Sequence, residues 1–396
     1  MNTSDPIVIA GMARTPIGGF QGILKDVSAP ELGSFAIRAA IERGGVATEN
    51  IDEVLMGCVL PAGLGQAPAR QASLGSGIPN TTGCTTVNKM CGSGMKTAML
   101  ANDSLLAGTN EVMVAGGLES MSNAPYILPK ARSGQRLGHG QMMDHMFLDG
   151  LEDAFDKGIL MGVFAERTAK SYGFSREAQD EFAIRSLTRA KKAIEDGSFN
   201  AEITPVTYKN RQGEVIVDQD EQPLTANFEK IPKLKPAFDK DGTVTAANSS
   251  SISDGAAALV MMRESIAKKR DLKPIARVLA HSSFAHEPAW FTTAPVGAIR
   301  KLLKTVDWNI NDVDLFEINE AFAVVTMAAM KDLNLPAEKV NVHGGACALG
   351  HPVGASGTRI LVTLISALQK YNKTRGIASL CIGGGEATAM AVEVLS

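Results

Sequence analysis

One order of elements, an apolar-striped helix opened by a glycine-rich turn and then a strand running into glycines and a glutamate, occurs twice in this chain. No other feature restricts the fold as much. In the first third, Cys91-Gly-Ser-Gly94 opens a helix with Met95, Met99 and Leu106, and Glu111-Val-Met-Val-Ala115 then runs into Gly116-Gly117-Leu-Glu119. In the last third, Gly350-His-Pro-Val-Gly-Ala-Ser-Gly357 opens a helix with Ile360, Leu361, Leu364, Ile365 and Leu368, and Ala378-Ser-Leu-Cys-Ile382 runs into Gly383-Gly-Gly385-Glu386. Strands alternating with helices at this spacing predict α/β layers, and the repeated order predicts an internal duplication. A chain of 396 residues exceeds one ordinary core, so two or three units are expected.

The segment between the copies differs in composition. Residues 121–251 carry 36 charges, 17 basic and 19 acidic, against 45 in the other 265 residues, which marks an inserted, more solvated region. Within it the spacing predicts a helix from about Arg176 to Asp196, with Ala183, Leu187, Ala190 and Ile194 on one face, Ser175 as N-cap and Gly197 as stop. Hydrophobic residues at 45% exclude a disordered chain, and a net charge of −3 excludes general attraction to nucleic acid or anionic membrane. The longest apolar stretches, around Ile360–Leu368 and Ala256–Met262, are far short of the roughly 20 residues that cross a bilayer. Met1–Asp5 is polar and runs directly into the strand-like Pro6–Ala10, without a signal-type apolar core, and Val394-Leu-Ser396 is no peroxisomal tripeptide; a cytoplasmic protein is expected.

Five widely spaced cysteines without a C-x-x-C pair indicate neither a disulfide framework nor a zinc site, and no metal is expected. Cys91 directly precedes a predicted helix, where unpaired N–H groups and the positive end of the macrodipole favour a thiolate; a buried cysteine in a tight turn fits that segment equally well. His351, set between glycines and before a proline, reads as a positioned general base. Cys381 lies at the carboxyl end of a strand, where α/β sheets bind ligands, but taken alone it reads as an ordinary strand cysteine. Asn319, in Asn319-Glu-Ala-Phe-Ala323 after the strand Asp314–Ile318, reads by itself as a helix N-cap. Arg185, Arg189, Lys191, Lys192, Lys230, Lys233 and Lys235 of the insert are either a phosphate-binding set or a solvated face. There is neither a P-loop nor a dinucleotide-binding glycine motif.

Together, Asn88-Lys-Met-Cys-Gly-Ser-Gly94, Asn319-Glu-Ala-Phe-Ala323, Gly344-Gly-Ala-Cys-Ala-Leu-Gly-His-Pro-Val-Gly-Ala-Ser-Gly357 and Cys381-Ile-Gly-Gly-Gly385 resemble the thiolase family over essentially the whole chain. The resemblance implies the thiolase fold: two duplicated βαβαβαββ-type halves in a layered α/β/α/β/α core, with an inserted loop domain. The expected division is 1–120 plus 252–272 for the N-terminal half, 121–251 for the insert, and 273–396 for the C-terminal half. It implies coenzyme A thioesters as substrates with no permanently bound cofactor, no nucleic acid or membrane partner, and a homo-oligomer, dimer or dimer of dimers.

The resemblance is closest to the acetoacetyl-CoA branch, which interconverts two acetyl-CoA with acetoacetyl-CoA and CoA; the alternative is a degradative thiolase of broader chain length. It implies Cys91 as nucleophile, His351 as its activator and Cys381 as the acid/base at the acetyl methyl. Asn319, through a held water, and His351 form one implied oxyanion site; the N–H groups of Cys91 and Gly383 form the other. Leu151, Met161, Phe238, Ser250, Ala321 and Phe322 are implied along the pantetheine and acyl channel. The chain departs from the family pattern at four places: His343 replaces an Asn beside the paired glycines, Leu160 a His and Phe291 a Met of the acyl pocket, and Leu224 an Arg near the nucleotide. These departures bear on the hydrogen bonding around His351, on chain length and on the nucleotide contacts. A silent acyl-CoA-binding protein is expected to lose Cys91, His351 or Cys381, and all three are present.

Overall fold

The computed structural model describes residues 5–211 and 213–395. The polar start Met1–Ser4 and the final Ser396 lie outside them. The first half contributes β1 (Ile7–Arg14), α1 (Ala29–Gly44), β2 (Glu53–Gly57), α2 (Pro68–Gly75), β3 (Gly83–Val87), α3 (Ser93–Ala107) and β4 (Val112–Ser120). The insert supplies α4 (Met161–Tyr172) and α5 (Arg176–Glu195). Then come β5 (Ser253–Arg263), β6 (Ala276–Ala285), α6 (Ala294–Val306), β7 (Leu315–Ile318), α7 (Ala323–Leu333), α8 (Val353–Lys370), β8 (Arg375–Ile382) and β9 (Glu386–Val394).

The strand order β7-β8-β9-β6-β1-β5-β4-β2-β3 shows the duplication. Reading outward from the centre, β1, β5, β4 and β2 are matched by β6, β9, β8 and β7, with antiparallel inner pairs and a parallel outer pair in each half. Even β3 has a vestigial counterpart, because Val340 bridges Phe316 in parallel where an outermost strand would lie. The halves join edge to edge through a short antiparallel pairing of β1 with β6, centred on Val8 and Arg277.

Layering follows from which faces are apolar. One core packs α1 and α2 on the first half-sheet, and another packs α6 and α7 on the second. A third, holding Met95, Met99, Leu259, Ile360, Leu364 and Met390, sandwiches α3 and α8 between both half-sheets. Because α8 has sheet on both sides, Val353–Leu368 is buried all round, unlike an amphipathic surface helix. α1, at the surface, carries conventional signals: the Ser28–Glu31 capping box, Pro30 in the first turn and Gly45 at φ 63° as stop.

Two glycines let α3 and α8 cross at their N-terminal ends. A Cβ on Gly357 would lie 2.2 Å from Met95 N, and one on Gly94 2.7 Å from Thr358 Oγ1. That crossing brings together the turns before the two helices, which hold Cys91 and His351.

The paired glycines of the two copies are not equivalent. Gly116 and Gly117 lie inside β4, where a Cβ on Gly117 would lie 2.1 Å from Gly354 O, whereas Gly383–Gly385 form the hairpin turn between β8 and β9. Close packing against α8 demands the first pair; left-handed backbone at Gly384 (φ 92°) and Gly385 (φ 88°) demands the second.

In the insert, α5 starts with Ser175 Oγ accepting from Ala178 N, as expected, and ends one residue before the expected Asp196. The insert is tied to β1 by fully buried charges. Arg14 Nε meets Glu202 at 2.6 Å, and its terminal nitrogens meet Asp220 at 2.7 and 2.9 Å. No helix among the described residues is long and apolar enough to cross a membrane.

Candidate active site

Cys91 sits on a turn made rigid by its own sequence. Asn88 Oδ1 accepts from Met90 N (2.9 Å), Ser93 Oγ accepts from Lys89 N (2.8 Å) and donates to Met90 O (2.6 Å), and Lys89 pairs with Glu386 (2.5 Å). Gly92 leaves room for Ile382, which a Cβ would approach to 2.3 Å. The backbone N–H groups of Cys91 and Gly383 lie near enough to the Cys91 sulfur to favour its thiolate. The thiolate expected at the helix start is not the resting state: burial, the larger effect, pushes the thiol up to about 11 against those two N–H groups. The first-turn donors are already used, Gly92 N by Lys89 O and Ser93 N by Met90 O.

His351 is buried, its backbone N–H bonded to Ser251 O (3.1 Å). Ser356 fixes its tautomer. The Ser356 hydroxyl has one proton, which it gives to Pro352 O (3.0 Å), so at 2.6 Å it accepts from His351 Nδ1–H. Nε2 is therefore the bare, basic nitrogen. Burial, and secondarily the Arg359 charge, lower the imidazole to about 3, so it is neutral at physiological pH.

Asn319 is fully buried at the end of β7, with Nδ2 3.5 Å from His351 Nε2. The N-cap reading fails, since the next helix, α7, begins after Phe322 with no side-chain cap. Cys381 is the penultimate residue of β8 and fully buried. Burial and the neighbouring Cys91 sulfur raise its thiol well above the ordinary value.

Cys91 and His351 border one apolar cavity of about 360 Å³. Cys91, His351 and Gly383 line it, and so do Leu151, Met161, Phe238, Ser250, Ala321 and Phe322, the residues expected along the channel. Asn319 and Cys381 are fully buried and are not among the residues that line it. Two backbone bonds, Ser250 N to Ala321 O (2.9 Å) and Ala323 N to Asn248 O (2.8 Å), lace the insert to the Asn319 segment and so build the channel from both. Phe238, Phe322, Phe291 and Phe164 pack edge to face in series along one side.

The departures fall in different places. Leu160 and Phe291 line the cavity, whereas Leu224 is exposed and does not. His343 is not a partner of His351; its ring packs against Phe199 and Tyr371. Of the basic residues in the insert, Arg189 is engaged with the carbonyls of Ala337, Val340 and Asn341, and Lys191 lies over Phe228. Lys230 borders a second cavity of about 260 Å³, which shares Ala246 and Ser251 with the first.

Sequence reasoning missed Glu119 and Arg359. Glu119, fully buried, accepts from Val59 N (2.9 Å), Leu60 N (3.1 Å) and Gly354 N (2.9 Å), tying the start of α8 to the loop after β2; burial raises its carboxyl to about 7. Arg359 pairs with Glu317 at 2.8 Å inside the core. The available signal for this pair was a charge in each of two otherwise apolar runs, Leu315–Ile318 and the face of α8.

A cavity walled by apolar side chains and lined by the Cys91 thiol, a bare imidazole nitrogen and Gly383, with a second thiol, Cys381, buried nearby, suits acyl transfer from a thioester and proton removal next to it. Comparison with known proteins points the same way. Residues 7–265 match the family model "Thiolase, N-terminal domain", and 272–394 match "Thiolase, C-terminal domain". Acetyl-CoA acetyltransferase of Escherichia coli (strain K12) is 51% identical over 391 residues, 98% of this chain and 99% of that protein. The crystal structure of the Bacillus anthracis acetyl-CoA acetyltransferase superposes with a TM-score of 0.96 at 44% identity, covering 100% of both chains. Acat5 thiolase from Ascaris suum, solved in complex with coenzyme A, gives 0.93 at 42% identity, covering 98% of this chain and 100% of that one. The chain belongs to the thiolase family.

Proposed function

We propose that the chain is an acetyl-CoA C-acetyltransferase, condensing two acetyl-CoA to acetoacetyl-CoA and CoA and running the reverse thiolysis at the same site. The observation that carries this reading is that Cys91, Gly383 and His351 line one apolar channel, where His351 offers a bare Nε2 to the Cys91 thiol. Cys91 attacks the thioester carbonyl and its proton passes to Nε2. The carbonyl oxygen, now anionic, is met by the N–H groups of Cys91 and Gly383, and CoA leaves as its thiol with the proton of Cys381, which becomes the thiolate while His351 keeps its proton on Nε2. On the second acetyl-CoA the Cys381 thiolate takes a methyl proton, and the enolate oxygen accepts from His351 Nε2–H and from the Asn319 amide through a held water. The enolate carbon attacks acetyl-Cys91, forming the carbon–carbon bond and releasing the Cys91 thiolate, which takes its proton back from His351 Nε2.

The pantetheine arm lies along Leu151, Met161, Phe238, Ser250, Ala321 and Phe322, and the nucleotide end reaches toward the adjoining cavity, where Lys230 supplies a cation. A short acyl chain is supported by Leu160 and Phe291 closing the wall and by the names of the relatives. The chain is read as cytoplasmic and divided as 1–120 with 252–272, 121–251 and 273–396. A homo-oligomer, as a dimer or a tetramer, is supported by the outer edge of β3, which has no partner strand among the described residues, and by exposed Tyr126, Leu128, Leu137 and Met142 in the insert. The test compares kcat/KM for thiolysis of acetoacetyl-CoA and of a medium-chain 3-ketoacyl-CoA. Preference for acetoacetyl-CoA is expected; preference for the longer substrate replaces this reading with the degradative one.

A further inference from the structure

We infer that Arg359 is a positioning residue for the enolate step: it holds the oxygen of the Asn319 amide and so turns the amide N–H toward His351. The inference rests on the acetyltransferase reading above and adds a residue to it.

A carboxamide has an acceptor end and a donor end of nearly the same shape, so in a closed site hydrogen-bond partners decide which way it faces. Asn319 is fully buried, with no solvent to satisfy the wrong orientation. Arg359 Nη2 lies 3.3 Å from Asn319 Oδ1, and a guanidinium only donates. The reverse orientation would set N–H against N–H there, and would present a second acceptor to the bare Nε2 of His351. Both mismatches point the same way, so Nδ2 faces Nε2, as found at 3.5 Å.

Arg359 is itself fixed. Its Nη1 donates to Glu317 Oε1 at 2.8 Å, with both side chains 2% exposed. Glu317 and Asn319 are two residues apart at the end of β7, so a single guanidinium reaches both, while Arg359 rides on the helix that follows the His351 turn. The relay Glu317–Arg359–Asn319 thus registers the amide against the imidazole. The acylation step uses a different oxyanion site, the Cys91 and Gly383 N–H groups, and does not depend on this relay.

The test measures thiolysis kcat and KM, the burst of Cys91 acetylation by acetyl-CoA, and thermal unfolding for Arg359→Lys, Asn319→Ala and the double variant. A lysine keeps a cation for Glu317 but cannot serve two acceptors in fork geometry. Arg359→Lys is expected to lower kcat roughly 10- to 100-fold, with KM and the acetylation burst changed by less than about threefold. In the double variant the second substitution is expected to add less than about a twofold loss to that of Asn319→Ala. Unchanged kcat in Arg359→Lys, or losses that multiply in the double variant, overturns the positioning role. Should Arg359→Lys not fold, Glu317→Gln keeps an acceptor for Arg359, and its loss of kcat must likewise vanish in the Asn319→Ala background. A wild-type protein that neither cleaves acetoacetyl-CoA nor becomes acetylated overturns the acetyltransferase reading instead.

Discussion

The alkylation of Cys91 across pH separates two accounts of how its sulfur becomes a nucleophile. If Cys91 and His351 formed a resting thiolate–imidazolium pair, iodoacetamide would react on a plateau extending well below the pKa of a free thiol. The structure argues otherwise. Burial moves the thiol from 9.0 to about 11, against the thiolate, and His351 is neutral with a value near 3. About one molecule in a thousand then carries the thiolate at pH 8. The assay is the pseudo-first-order rate of iodoacetamide labelling of the Cys91 peptide, followed by mass spectrometry from about pH 6 to about pH 10. The rate should rise about tenfold per pH unit with no plateau below about pH 9. In His351→Ala the labelling profile should hold its position, while thiolysis falls by roughly 10²- to 10⁴-fold, because the imidazole acts on the proton during reaction rather than at rest. A plateau below about pH 8, or a profile that shifts to alkaline pH in His351→Ala, refutes the reasoning.

Arg14→Met leaves Glu202 and Asp220 as buried carboxylates without their cation and should cost about 3–5 kcal/mol in urea unfolding; a loss below about 1 kcal/mol means the pair is not structural. His343 is buried with both ring nitrogens unpartnered among the described residues, and burial lowers it from 6.5 to about 4. The unfolded chain therefore binds the extra proton first: the contribution is present above pH 6.5 and is lost as pH falls toward 4, by up to about 3 kcal/mol. Since His351 contributes with the same sign, His343→Asn should shrink the difference between urea midpoints at pH 7 and pH 4.5 without abolishing it; an unchanged difference counts against the assignment. Phe291→Leu shortens one wall of the cavity and should raise kcat/KM for longer 3-ketoacyl-CoA relative to acetoacetyl-CoA, and an unaltered ratio shows that chain length is set elsewhere.

Legibility in the sequence followed how locally each property is encoded. The α3 and α8 turns announced themselves because glycines, a cysteine or histidine and an apolar stripe are all adjacent in the chain, and the channel residues were expected only from the family resemblance. Two classes of property were not legible. The roles of Gly116 and Gly117 depend on a helix more than 200 residues away, so the same dipeptide that marks a turn at Gly383–Gly385 sits flat in a strand here. The charge state of Cys91 depends on how completely the halves and the insert close over it, and desolvation exceeds the local helix-start effect that sequence alone supplies. Arg359 belongs to both classes, since its partners come from β7 and its significance lies in the orientation of an amide.

The central claim, that Cys91 carries the acyl group between two coenzyme A thioesters, is most directly tested by trapping it. Wild-type protein incubated with acetyl-CoA alone and quenched in acid should carry one acetyl group, on the peptide containing Cys91, and should lose it when CoA is added back. Label on another residue, or label that persists in Cys91→Ala, contradicts the account.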